Sequence, residues 1–347
     1  MPTRSWFLGL ILLAVLARAG AVLLLQSHRV PRSTYEHGEI AANLLAGRGF
    51  SVRFLGANGP TSQQAPVYPL ILAGAYALGG VGTPKALLIL ELGQSVLGGL
   101  LVAAVMALAG EVAPGRKQVA VGAGLITALH PTLVYAATHV QVALLAATLL
   151  AGTLAFAYRA GRTGLFVDAL WTGLLLALLV LTDPILVVVA PAVAWAIARG
   201  QGLRKGARLL MMVALVAAAG ICPWLMRNAR VHGELVWVKS TFGYAFWQGN
   251  CTLSEGTDKV VRSSVERALA RGNGHGLGAL NRSLWAARHE AGYIDDIALT
   301  AADTRELARL TEPERSRRLM KRALADLRVQ PGRYGQLCLR RLRYFLL

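Results

Sequence analysis

WFLGLILLAVLARAGAVLLL, residues 6–25, is an unbroken apolar run with one charge in it, Arg18. About twenty such residues, coiled as a helix, match the hydrocarbon thickness of a bilayer. Backbone polar groups have no partner in lipid, so a run of this kind is a helix. It is too long for a signal-peptide core and lacks a small-residue cleavage site, so it reads as a retained helix. Arg18 lies about two turns from its outer end, where an arginine either snorkels to the headgroups or faces a cavity.

Comparable runs follow at 65–80, 87–110, 118–157, 166–199 and 208–226. The chain is 55% hydrophobic and only 16% charged over 347 residues. A soluble domain carries about 25% charged residues. The mean hydropathy of +0.49 agrees. The expected fold is therefore an all-α polytopic membrane protein. The formal charge of +18 suits Lys- and Arg-rich cytoplasmic loops and anionic lipid headgroups, not nucleic acid. Three cysteines, Cys222, Cys251 and Cys338, form neither a disulfide framework nor a metal-ligand spacing.

Short connectors join the apolar runs. RGQGLRKG, 199–206, is the most basic and marks the cytoplasmic side. From 227 to about 335 charges appear throughout, and no run reaches membrane length. GELVWVKSTFGYAFWQGN reads there as short strands or loops, and 259–275 and 300–328 as helices. The segment TEPERSRRLMKRALADLRV has a Thr cap, an early Pro and Glu in its first turn. The expected division is a membrane core over 1–229, with loop 26–64 included, an extracytoplasmic α/β or mostly helical region over 230–335, and at 336–347 the start of a further, truncated membrane helix. If 26–64 and 227–335 share a side, an even number of crossings separates them. Splitting the runs at His130-Pro131 and Asp183-Pro184 gives seven segments, so one of them does not cross.

STYEHGEIAANLLAGRGFS, 33–51, follows the first run. It reads as a short helix over about 36–46, stopped by Gly47 or Gly49. Glu36, Glu39 and Asn43 share one face by their spacing, beside an apolar stripe of Ile40 and Leu44. The helix is expected to lie on the membrane with its carboxylates toward a water-filled cavity. The plain alternative is a solvated face of an interfacial helix. GPTSQQAPVYPL, 59–70, then enters the next run, stiffened by Pro60, Pro66 and Pro69, with Gln63, Gln64 and Tyr68 as hydrogen-bonding groups. Glu91 and Gln94, inside the 87–110 run, are placed to pair across helices.

The order of these pieces is specific. G-E-I-A-x-N-L-L-x-G-R-G-F-S, then G-P-T-x-x-x-x-P-V-Y-P-L, then LTDP ending at Pro184, then PWLMRN from Pro223 and a later G-N at Gly249-Asn250 resemble the bacterial family 39-type glycosyltransferases. These belong to the GT-C superfamily and are relatives of the protein O-mannosyltransferases and the aminoarabinose lipid A transferases. The resemblance runs over essentially the whole chain. It implies a GT-C type helical bundle in the bacterial inner membrane with an active site on its outer face. It implies a polyprenyl-phosphate-linked sugar as donor, and a glycan, lipid or protein as acceptor.

The resemblance further implies an acidic residue in the first extramembrane loop, for which Glu36 and Glu39 are the candidates, with Glu36 favoured. Many relatives carry Asp there, and none lies between 26 and 64. A carboxylate in reach of an acceptor hydroxyl can take its proton as it attacks the anomeric carbon. Cations must meet the leaving lipid phosphate, and arginine does so bidentately. Arg48 and Arg53 lie in the same loop, and Arg227, Arg230 and Lys239 beyond the last run. Arg227 and Asn228 belong to the PWLMRN match and Asn250 to the G-N. No cofactor is required by the sequence. Some GT-C enzymes take a divalent cation, and no metal ligands are assigned here. The competing expectations are a transporter or flippase of lipid-linked saccharides, and a truncated, inactive homologue.

Overall fold

The computed structural model describes residues 4–30, 34–258, 276–290 and 293–346. The helix expected over 259–275 lies outside them. The fold is mostly helical, with one two-stranded hairpin among the described residues. Contacts group the chain into two compact units, 1–29 with 65–227, and 30–64 with 228–347. The expected division is corrected at this point: loop 26–64 clusters, from Val30 on, with the C-terminal region, not with the apolar core.

The first unit holds α1 (Arg4–Leu25), α3 (Val67–Gly79), α4 (Pro84–Val112), α5 (Lys117–Leu129), α6 (Pro131–Ala136), α7 (Ala143–Thr163), α8 (Phe166–Val180), α9 (Ala190–Ala198) and most of α10 (Leu203–His232). Four helical segments, Ser5–Arg29, Pro84–Val112, Ala143–Thr163 and Leu203–His232, are long and apolar enough to cross a membrane. Their outward side chains are apolar and exposed, as with Leu12, Leu16 and Leu23 on α1 and Met211 and Leu215 on α10. Exposed leucines on this scale suit lipid as solvent.

The two ends of this unit are marked by pairs. At the first, Ser27 Oγ donates to Glu91 Oε2 at 2.6 Å. At the second, Arg162 grips both oxygens of Glu111 at 2.7 and 2.8 Å. α4 runs from first to second, and α5 and α6 return. There Gln94 Nε2 donates to the carbonyls of Ala137 and His139, both at 2.9 Å. α7 runs to the second end, α8 leaves it, and Leu181 accepts from the Val67 N–H at 3.2 Å. Residues 184–198 go back, and Gln201 donates to the Gly161 carbonyl at 2.7 Å. α10 then runs to the first end.

α3 is the exception. Its Tyr68 hydroxyl donates to Gln94 at 2.9 Å, and its Gly79 meets Ala86 so closely that a Cβ would overlap it. It lies along the first part of α4 and begins and ends near the first end. Thirteen residues reach about 20 Å, short of the roughly 30 Å of hydrocarbon. Between residues 65 and 227, α4, α7 and α10 have the length of a span, and α3, like α5, α8 and 184–198, is shorter.

Arg18 neither snorkels nor lines a cavity. It is fully buried, and its guanidinium donates to the carbonyls of Ala128 at 3.0 Å and Thr127 at 3.0 Å. Those carbonyls end α5, which stops at His130-Pro131 because proline offers no N–H and excludes the helical approach. In lipid they need another donor, and Arg18 supplies it. Gly98 leaves the room, since a Cβ there would strike the Arg18 side chain.

The second unit contains α2 (Tyr35–Leu45), β1 (Ser51–Phe54), β2 (Ala57–Pro60), α11 (Phe242–Asn250), α12 (Leu277–Glu290), α13 (Ile294–Ala298), α14 (Ala301–Ala308), α15 (Glu312–Val329) and α16 (Pro331–Leu346). β1 and β2 pair antiparallel, Phe54 opposite Ala57. Leu55 and Gly56 form the two-residue turn with φ of 46° and 80°, the left-handed geometry such hairpins take. Leu55 is held there by packing on the unit's core, built from Trp247, Cys251, Ile294, Leu307, Leu319 and Ala323.

One expectation is corrected in this unit. Phe242–Asn250 is a helix, not strand or loop, because Tyr244, Trp247 and Cys251 fall on one helical face and pack into that core. The segment from 336 belongs to α16, amphipathic, arginine-rich and docked along one side. By contrast, α14 and α15 fall within the expected 300–328 span. Thr311 caps α15 in a capping box with Glu314.

Candidate functional site

α2 starts after Thr34 and ends at Ala46, with Gly47 at φ +73° continuing the turn. The stop at glycine is set locally, by a residue that takes a positive φ without strain. Its polar face points at its own loop. Asn43 donates from Nδ2 to the Ser51 carbonyl at 2.8 Å and accepts from Arg48 Nε at 2.8 Å. Ile40 is fully buried in protein, not presented to lipid.

The two glutamates are now distinct. Glu39 is exposed, and its Oε1 accepts from the Arg53 backbone N–H at 2.8 Å. It pins β1 to α2. Glu36 is half-buried. Its Oε1 meets Gln63 Nε2 at 3.3 Å and its Oε2 meets Gln64 Nε2 at 3.5 Å. Both contacts are at the long end of hydrogen bonding. A carboxylate has about four acceptor positions, so Glu36 is oriented without being saturated. Gln63 is almost fully buried, and its Oε1 has no donor among the described residues.

Other groups surround Glu36. His37 is buried, and its pKa is pushed down to about 3, first by burial and then by the charge of Lys239. It is a neutral imidazole at physiological pH. The Tyr244 hydroxyl is pushed above its ordinary value, chiefly by burial, then by Asp295 and by Glu36. Tyr244 bonds to Asp295 Oδ2 at 3.1 Å, and Gln248 Nε2 bridges both at 2.6 and 3.0 Å. Lys239 and Tyr244 thus act electrostatically on the first turn of α2.

The loop that carries Gln63 and Gln64 is fixed by a residue the sequence did not single out. Glu312, buried at the start of α15, accepts from Thr61 Oγ1 at 2.5 Å, the Ser62 N–H at 2.7 Å and Ser240 Oγ at 2.5 Å. Ser62 Oγ donates to Asn228 Oδ1 at 2.7 Å and lies 2.8 Å from His232 Nε2. Thr61 Oγ1 in turn receives the Gln63 N–H at 2.9 Å. Glu312 follows a Thr cap and precedes Pro313, which foretells a helix start, but nothing local foretells partners some 250 positions away.

The remaining candidates divide. Arg48, Arg53 and Arg230 are exposed. Asn228 is a structural joint, donating to the Trp237 carbonyl at 2.8 Å. So is Asn250, which donates to the Phe246 carbonyl at 2.7 Å and accepts from Arg341 at 2.9 Å. Tyr68 and Arg227 belong to the first unit, Tyr68 bonded to Gln94 and Arg227 stacked 4.9 Å over the Trp224 ring. Among the described residues no group of three or more His, Cys, Asp or Glu side chains is arranged to hold a metal ion.

Neither the models of protein families nor the curated proteins include a match to this chain.

Proposed function

We propose that the chain is a GT-C type glycosyltransferase of the bacterial inner membrane, moving a sugar from a polyprenyl-phosphate carrier to an acceptor at the outer face. One observation carries this reading. Glu36, two residues before G-E-I-A-x-N, is a half-buried carboxylate met by Gln63 and Gln64, which follow G-P-T in the loop.

In the proposed reaction an acceptor hydroxyl oxygen forms its bond to the anomeric carbon while Glu36 takes its proton. The bond from that carbon to the carrier's phosphate oxygen breaks, and its electron pair leaves with the lipid phosphate, inverting the centre. Glutamine amides held at 3.3 and 3.5 Å aim the carboxylate and leave lone pairs for the proton. The exposed side chains of Arg53, Arg230 and Arg48, the last held through its Nε by Asn43, offer guanidinium groups to a phosphate, with Lys239 adding positive potential beside α2. Glu39 is a strap, not a second base.

The test is product analysis with purified protein in liposomes and a panel of polyprenyl-phosphate sugars. Release of polyprenyl phosphate with a glycosylated product supports the reading. Exchange of labelled lipid-linked sugar across the bilayer with no product from any donor would replace it with a transporter.

A further inference from the structure

α16 carries two unlike faces. Arg333, Leu337 and Arg341, spaced four apart, share one helical face. Arg333 Nη2 donates to the carbonyls of Cys251, Thr252 and Ser254 at 3.0, 2.9 and 2.7 Å. Leu337 is 1% exposed. Arg341 donates to the Gly249 and Gly256 carbonyls and to Asn250 Oδ1. This face is fixed to the second unit.

The other face is bare. Leu339 is 68% and Leu342 54% exposed, and Cys338 beside them is exposed too. Tyr334, one turn before Cys338, is exposed near its start. Arg340 and Arg343 are exposed on its flank. Residues 331–346 contain four arginines and no Asp or Glu. An apolar stripe with an arginine-only flank complements a bilayer interface, with leucines in the acyl boundary and guanidinium groups on anionic headgroups. A protein groove would have to bury the same leucines against an all-cationic border. Two turns of α16 are already pinned along their length to the second unit.

We propose that α16 lies in the membrane interface on anionic phospholipid, anchoring the second unit through Cys338, Leu339 and Leu342 with Arg340 and Arg343 on headgroup phosphates. The proposal does not depend on the glycosyltransferase reading.

The native Cys338 provides the probe. The full chain carrying Cys222→Ser, labelled at Cys338 with an environment-sensitive fluorophore, is reconstituted in vesicles of phosphatidylcholine with phosphatidylglycerol. Quenching by a lipid-borne nitroxide several-fold stronger than by aqueous iodide is expected. A probe at Gln336→Cys, in the same chain with Cys338→Ser, should show the reverse order. Arg340→Gln with Arg343→Gln should bring lipid quenching at Cys338 down to its value in phosphatidylcholine alone. Stronger iodide than lipid quenching at Cys338 would overturn the proposal. So would shielding from both quenchers, the mark of a protein partner or a second copy.

Discussion

Glu312 gathers more of the second unit than any residue of the candidate site. Its carboxylate satisfies Thr61, the Ser62 N–H and Ser240 at once. Removing it leaves several buried donors unpaired, which costs more than the bonds themselves contribute. Glu312→Ala is expected to destabilise the protein by about 2–4 kcal/mol, read as a fall of about 5–10 °C in the thermal midpoint in detergent. His37 supplies a pH dependence. Its folded pKa of about 3 lies below the ordinary 6.5, so between these values the unfolded chain binds the extra proton. Stability therefore falls as pH drops from about 6.5 toward 3. His37→Asn is expected to flatten that part of a midpoint-versus-pH curve. The sequence offered two glutamates and could not part them. Glu39 and Glu36 share a helical face, and what separates them is contacts 14 to 28 positions away.

Elements whose limits are set locally were legible. α2 ends where Gly47 allows a positive φ, and the breaks at His130-Pro131 and Asp183-Pro184 fall where proline forbids a helical bond. Elements set by packing were not. The hairpin 51–60 has no alternating apolar pattern, and Leu55 takes its left-handed conformation because the core holds it. α11 has strand-prone aromatics and forms a helix because α15 accepts its face. That contact is close: a Cβ on Gly243 would overlap the Ser316 carbonyl, and the Gly243 N–H donates to Ser316 Oγ at 2.9 Å. Gly243→Ala is expected to cost about 1–3 kcal/mol by forcing α11 and α15 apart, despite the better helix propensity of alanine. Chemical denaturation with Trp247 fluorescence would measure it.

Across the whole molecule, composition made the membrane class plain, but the course of the helices between the two ends of the first unit needed the contacts. α3 is as apolar as α1 and α4, so hydropathy does not part it from the helices of spanning length. Its placement along α4 predicts that Val81→Cys is labelled from the face opposite the N-terminus of α1, and Arg116→Cys from the same face as that N-terminus. Labelling of Val81→Cys from the N-terminal face would show that α3 crosses. The division into units also follows from folding, since 30–64 closes with 228–347 across nearly the whole chain. The central claim, that Glu36 alone of the two glutamates is the reacting carboxylate, is tested most directly by sugar transfer from polyprenyl-phosphate donors in proteoliposomes. Glu36→Gln is expected to lower turnover about 100-fold or more, the span of a lost general base, with Glu39→Gln within a few fold of the unaltered chain. Retained turnover in Glu36→Gln, with loss in Glu39→Gln or in neither, would contradict it.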